Sequence, residues 1–255
     1  MSLHDSVEKP MFSIVVPVFN EEENVLPLAQ SIFSEVGTDP AFLELLLVDD
    51  GSSDQTVELI HELIANEPRI RLVKHERNRG LGAAIRTGLR NASGDLVFYT
   101  DADLPFDFSL IPNLISLAGP ETVVIGCRLN RGEGARRWIL TKTYNLLFRL
   151  LFGLKVRDVN FACKIIPGAL AHSADLRSEG SFIDAEILLE ARRYDLTIQE
   201  YPLTYFPRTR GLSTLSRPGV IWGIFREMTA YLKRSWLAGK ATLPAASQQK
   251  SWSED

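Results

Sequence analysis

The feature that most constrains this chain is an alternation. Short, wholly apolar runs give way to helical patterns, and acidic residues stand where several of those runs stop. Phe12 to Phe19 (FSIVVPVF) is rich in β-branched residues, and a helical pattern follows from Glu22 to Val36. Leu43 to Asp50 (LELLLVDD) ends in two carboxylates, after which Ser53 or Asp54 caps a helix reaching Asn66. Ile70 to His75 reads as a third strand, with Gly80 to Asn91 as its helix. Leu96 to Thr100 is a fourth strand, ending in acid at Asp101, and Val123 to Gly126 a fifth. Strands that are apolar throughout belong to a largely parallel sheet covered on both faces. Ligands of such sheets bind at the carboxyl ends of the strands, and there stand VPVFNE, LVDDGSSD and YTDADLP. The expected class is therefore α/β: a mixed, mostly parallel sheet flanked by helices, with its polar chemistry along one edge.

Beyond Arg128 the pattern changes. A long helical stretch runs from Ala135 to Phe152, followed by a strand-like Phe161 to Ile166, a helix from Phe182 to Tyr194 and a strand from Leu196 to Phe206. A final amphipathic segment spans Val220 to Trp236. No linker composition or internal repeat divides the chain. One domain over residues 11–217 is expected, then an amphipathic helix at 218–241, with flexible ends at 1–10 and 242–255. The 255 residues, 45% of them hydrophobic, suffice for one sizeable core.

Charge and composition remove several functions. A net charge of -4 argues against a nucleic-acid partner. Cys127 and Cys163 form no CxxC pair and the four histidines have no zinc-ligand spacing, so buried free thiols and a reducing, cytoplasmic compartment are expected. Met1 to Pro10 lacks the apolar core of a signal peptide. The most apolar long stretch, Trp138 to Leu154, is interrupted by Lys142 and Arg149 and falls short of a membrane span.

Two acidic motifs carry the chemistry. Asp101-Ala102-Asp103 directly follows the fourth strand. Hard cations such as Mg2+ or Mn2+ take oxygen ligands, usually one or two carboxylates plus substrate phosphates, and two aspartates around one small residue leave room for a pyrophosphate. In Asp49-Asp50-Gly51-Ser52-Ser53-Asp54, Asp54 reads as a helix cap and Asp50 as a binder of a base or ribose hydroxyl. Asn78-Arg79-Gly80-Leu81-Gly82 has neither a third glycine for GxGxxG nor GK[ST], which argues against a dinucleotide oxidoreductase and against an ATPase. From Arg128 to Arg157 eight basic residues face Glu133 and, with apolar residues interleaved, point to a phosphate or a lipid surface.

Taken in order, these blocks resemble glycosyltransferase family 2 with the GT-A fold, and more narrowly polyprenyl-phosphate sugar synthases of the dolichol-phosphate mannose synthase type. The resemblance rests on VPVFNEEENV, VDDGSSDQT, NRGLGAAIRTGL, TDADLP, IGCR, FIDAEILLEARR and PRTRGLSTLS, and covers Phe12 to Leu215. It implies that Pro17, Phe19, Glu21, Asp50 and Gly82 hold the nucleoside, that Asp101 and Ala102 lie over ribose and pyrophosphate, and that Asp103, with Asp101, binds Mg2+ or Mn2+. Arg128, Arg137, Thr141, Arg208 and Ser213 correspond to acceptor-phosphate positions, and Asp184 and Glu186 to an acidic pair on the acceptor side. Two departures stand out: Pro105, where relatives often carry a polar residue, and Thr214, where a basic one is usual. The QxxRW motif of processive polymerases is absent.

The implied reaction is an inverting transfer from GDP-mannose or a UDP-sugar to a dolichyl or undecaprenyl phosphate at the cytoplasmic face of a membrane. Asp103, Asp184, Arg128 and Arg208 would carry it. A lipid phosphate needs no strong base, whereas a sugar-hydroxyl acceptor would need one, and Asp184 is the candidate. Rival readings are a family 2 enzyme with a hydroxyl acceptor and a catalytically silent nucleotide-sugar-binding module.

Overall fold

The computed structural model describes residues 9–129, 145–146, 148–206, 218–238 and 242–243. Seven strands form one sheet in the order β3-β2-β1-β4-β6-β5-β7. They are β1 (Phe12–Val18), β2 (Phe42–Asp49), β3 (Ile70–Lys74), β4 (Leu96–Thr100), β5 (Thr122–Arg128), β6 (Cys163–Pro167) and β7 (Thr197–Leu203). β1 to β4 are mutually parallel, β6 runs antiparallel to both β4 and β5, and β7 pairs parallel with β5. The sheet is thus mixed and mostly parallel.

The apolar runs are continuous because both faces are covered. Ile14, Val16, Leu45, Leu47 and Phe98 pack into one core, and Val15, Leu46, Val48, Val97 and Tyr99 into another on the opposite face. This is the period-two alternation of a strand, with apolar residues on each side. α1 (Val25–Val36) buries Val25, Leu28, Ala29, Ile32 and Val36 at helical spacing against the first core. After α2 (Thr56–Asn66), α3 (Leu81–Asn91) sets Ala84, Ile85 and Leu89 into the second. Each large aliphatic side chain so buried contributes about 1.5–3 kcal/mol.

Differences from the sequence reading lie at boundaries and in short elements. α1 begins at Val25 rather than Glu22, because residues 21–24 form a turn whose amides bond to the neighbouring loop. β7 stops at Leu203. Two helices, Ile111–Leu117 and Gly168–Ser173, had no visible signal: at 7 and 6 residues they are too short to show a period. Cys127 and Cys163 are both buried, and neither is in a disulfide.

The last described helix, Pro218–Ala238, lies against the helix Ile183–Arg193. Tyr231 donates to Glu190 at 3.1 Å and Arg234 to Glu186 at 2.8 Å, while Met228 and Tyr231 are buried. Among the described residues no helix is long and apolar enough to cross a membrane.

Candidate functional site

The carboxyl ends of β1, β2 and β4 open onto a cleft of about 750 Å³. The first two loops on its wall are fastened to each other. Asn20 N–H donates to Ser52 Oγ at 2.9 Å, Ser53 N–H to Asn20 Oδ1 at 2.8 Å, and Glu21 N–H to Thr56 Oγ1 at 2.9 Å. Asp54 accepts from the Thr56 amide and hydroxyl, but it stands one residue before the helix cap, which is Gln55, so it fixes the entry to the helix and is not the cap expected of it. Asp49 folds the turn by accepting from the amides of Gly51 and Ser52. Gly51 has φ +78, and a Cβ there would lie 2.6 Å from the Arg77 carbonyl carbon, so the turn requires glycine.

Asp50 is the hub of the wall formed by the loops after β2 and β3. Its Oδ1 takes the Arg79 amide at 2.9 Å and His75 Nδ1 at 2.7 Å, and its Oδ2 takes the Gly80 amide at 2.8 Å. His75 Nε2 is 2.9 Å from Thr87 Oγ1 on α3. The carboxylate therefore shapes the 78–80 loop as well as lining the cleft.

Asp101, Ala102 and Asp103 line the cleft where β4 ends, followed by Leu104 with φ 53 and by Pro105, whose carbonyl accepts from Phe206 N–H at 2.9 Å. A branched side chain in the left-handed region is strained. Here the strain turns the chain sharply, so both aspartates stay at the rim. Tyr99 Oη donates to Asp101 Oδ1 at 3.3 Å. Burial, then the negative charges of Asp101, Asp184 and Asp103, holds the Tyr99 phenol well above its ordinary value. Burial is the larger cause, and the three carboxylates act in the same direction. Two carboxylates beside open volume fit a hard divalent cation whose remaining ligands come from a substrate phosphate.

On the opposite wall, Arg128 and Asp184 reach the cleft but arrive already engaged. Arg128 makes a fork with buried Asp158, Nε at 2.7 Å and a terminal nitrogen at 3.0 Å, and lies between the rings of Phe161 and Tyr205 at 5.4 and 5.2 Å. Asp184 is paired with the buried ammonium of Lys164. Neither partner was singled out in the sequence. Lys164 carried the clearer signal, a lone charge inside the apolar run CKIIP.

Of the other expected residues, Pro17, Phe19, Glu21 and Asp50 line the cleft. Gly82 does not. Its amide donates to the Glu179 carbonyl at 2.8 Å, and a Cβ would sit 2.5 Å from the Ser178 oxygen, so it serves close backbone approach, while Gly80 and Leu81 supply the wall. Glu186 does not line the cleft either: it takes the amides of Arg177 and Ser178 and the Arg234 guanidinium. Arg137, Thr141, Arg208, Ser213 and Thr214 lie outside the described residues. In the basic segment, the local balance is smaller than it reads, because Asp158 and Glu200 answer Arg128 and Arg157.

A mixed sheet with this strand order and a carboxylate-rimmed cleft at its edge defines a GT-A-type glycosyltransferase fold. The profile of glycosyl transferase family 2 matches residues 13–175, and the chain belongs to that family. It is 33% identical over 217 residues to the dodecaprenyl-phosphate galacturonate synthase of Rhizobium johnstonii, spanning 82% of this chain and 63% of that protein. It is 36% identical over 148 residues to an undecaprenyl-phosphate 4-deoxy-4-formamido-L-arabinose transferase of Pectobacterium carotovorum subsp. carotovorum, spanning 57% and 45%. The chain therefore spans less than two thirds of the length of either relative. Glucosyl-3-phosphoglycerate synthase of Mycobacterium tuberculosis, solved with Mn2+, uridine diphosphate and glucosyl-3-phosphoglycerate, shares the fold. Its TM-score is 0.64 at 24% identity, over 88% of this chain and 79% of that one.

Proposed function

We propose that this chain transfers a sugar, with inversion in a single displacement, from a nucleotide-sugar to a polyprenyl phosphate. The observation that carries the reading is the joint placement of Asp50, Asp101 and Asp103 on one cleft at the carboxyl ends of three adjacent parallel strands. Pro17, Phe19, Glu21 and Asp50 would bound the nucleoside, and Asp101 and Ala102 would lie along ribose and pyrophosphate. Asp103 and Asp101 would hold Mg2+ or Mn2+. A divalent ion there supplies charge neutralisation for the departing nucleoside diphosphate.

The acceptor side favours a phosphate nucleophile. A lipid phosphate, with a second pKa of about 6, is largely dianionic at neutral pH and needs no base. With no proton to remove, Asp184, which lines the cleft and accepts from Lys164 through one oxygen, is not required as a base. It would orient the acceptor wall instead. Arg128, Arg137, Thr141, Arg208 and Ser213 would hold the dianion, the arginines without protonating it. Both relatives are named for polyprenyl-phosphate substrates.

A lipid acceptor requires a membrane surface, and the cytoplasmic face is the reading that suits thiols outside any disulfide. Leu146, Leu150 and Leu151 are exposed beside the exposed Arg149, while Phe148 of the same stretch is core. Apolar tips with a basic neighbour suit shallow insertion. The unit at residues 11–217 would carry catalysis, and the helix within 218–241 would buttress it from behind.

The test is calorimetric titration of UDP- and GDP-sugars with and without Mn2+, followed by transfer to undecaprenyl phosphate in anionic vesicles. One nucleotide should bind in a metal-dependent way. Asp103→Ala should abolish that binding and lower transfer by roughly 10²–10³-fold. Metal-dependent binding without transfer to any acceptor would replace this reading with a silent binding module. Transfer to soluble sugars in preference to the lipid phosphate would overturn the acceptor.

A further inference from the structure

Lys164 is the second residue of β6 with 0% of its surface exposed, between Cys163 and Ile165, in a strand that is otherwise apolar. Removing an ammonium from water is far costlier than burying a leucine, and the cost is offset only by close, well-formed partners. Lys164 has them on three sides. Its Nζ donates to the Phe161 carbonyl at 2.7 Å and to Asp184, and lies 5.6 Å from the centroid of the Tyr99 ring. The last contact follows from register: β6 is antiparallel to β4, and Lys164 is the direct partner of Tyr99. Cross-strand partners place their side chains on one face. Tyr99 in turn donates to Asp101. A continuous path therefore runs from Asp184 on one wall, through Lys164 and Tyr99, to the aspartates at the end of β4.

We infer that Lys164 is a positioning residue for both walls of the cleft, and that its buried charge sets how strongly Asp101 and Asp103 hold a divalent cation. This rests on the metal reading proposed above. Three carboxylates, Asp101, Asp103 and Asp184, act on Tyr99 from around this one rim. Left alone they would repel one another and over-bind a cation that must leave with the nucleoside diphosphate. Lys164 offsets one of those charges permanently from behind the wall, without occupying the cleft, which it does not line. It also fixes Asp184, the first-turn residue of the helix Ile183–Arg193, to the sheet.

A charge cycle separates this role from simple packing. Mn2+ is titrated calorimetrically into the UDP-saturated full chain as wild type, Lys164→Met, Asp184→Asn, the double variant and Lys164→Arg. Removing the cation should tighten Mn2+ binding roughly three- to tenfold, and removing the carboxylate should weaken it by about as much. The double variant and Lys164→Arg should both return to within about twofold of wild type, since each keeps the net charge. A structural role alone would give losses of the same sign in both single variants, and that result would overturn the inference. If Lys164→Met does not fold, the comparison of Asp184→Asn with the double variant decides: the second substitution must reverse the loss caused by the first. Absence of Mn2+ uptake by wild type is a different failure, seen in the first titration, and removes the metal reading itself along with this one.

Discussion

Asp50 and Asp184 sit on facing walls of one cleft, buried to 3% and 4% exposure, and the two carboxylates are held by different means. Asp50 is caged by the amides of Arg79 and Gly80 and by a histidine ring nitrogen. Asp184 is held by a buried ammonium from another strand. The first cage is built from backbone amides and a ring nitrogen of residues 75–80, so it forms when the loop after β3 meets the end of β2. The second ties together β6, β4 and the helix Ile183–Arg193, so it forms only when the antiparallel strand is in register. Both cages join segments distant in sequence, 25–30 residues apart for Asp50 and 20 for Asp184; what differs is a set of backbone and ring donors against a single buried ammonium.

The difference in cage chemistry predicts a difference in fragility. Asp184→Asn leaves an ammonium buried without its counter-charge and should cost about 3–5 kcal/mol of unfolding free energy. Asp50→Asn keeps one acceptor and leaves backbone donors partly unsatisfied, which should cost about 1–3 kcal/mol. Guanidinium denaturation of the two variants measures both. Equal losses would break the comparison, because they would mean that Lys164 is solvated or repaired by a neighbour. On the function side, Asp184→Asn that folds should retain phosphate transfer, whereas an enzyme using Asp184 as a base for a hydroxyl would lose its activity.

The two walls meet at one point that a smaller substitution can probe. Gly80 to Gly82 abuts Ser178 to Gly180, and the latter segment continues directly into Ser181 and Asp184 on the opposite wall. Gly82→Ala would set a methyl 2.5 Å from the Ser178 oxygen and 2.7 Å from the Gly180 oxygen, both backbone atoms that cannot swing aside. A destabilisation of about 1–3 kcal/mol is expected. Hydrogen exchange should sharpen the picture: amides of Glu179 and Gly180, which bond to Glu227, should lose protection before those of β1 and β2. Loss spread evenly over the sheet would mean that the contact is not the joint between the walls.

The same contrast explains what could be read from residues alone. The first four strands and their loops were legible because each is a local object: an apolar run, a turn, a cap. VDDGSSD announces its turn through Asp49 and Gly51, and the structure uses them so, while Asp54 bonds to Thr56 from one residue before the Gln55 cap. The wall carrying Arg128 and Asp184 was not legible to that depth, because it is held by single side-chain ion pairs that no local pattern of turn or cap announces. Nothing near Arg128 announces that Asp158 will take its guanidinium, and nothing near Asp184 names Lys164. Gly82 misled for a related reason. A glycine beside a phosphate-like loop suggests contact with a ligand, but its neighbour is a backbone segment about a hundred residues away in sequence.

Cys163, next to Lys164 on β6, offers the finest test of how far that buried charge reaches. Burial pushes its thiol from an ordinary 9.0 up to about 12, outweighing the pull of the Lys164 charge in the other direction. A thiol whose folded pKa is raised binds its proton more tightly in the native chain than in the unfolded one. Its contribution to stability is complete below about pH 9 and declines as pH climbs from there towards about 12. The phenols of Tyr99 and Tyr231, also raised chiefly by burial, act in the same sense. Unfolding free energy should therefore slope downward above about pH 9, and Cys163→Ala should make that slope shallower while lowering stability at neutral pH through the small void it leaves. An unchanged slope in the variant would mean that the thiol titrates alike in both states. The ammonium one residue away would then dominate β6, and its influence would not be confined to Asp184 and Tyr99.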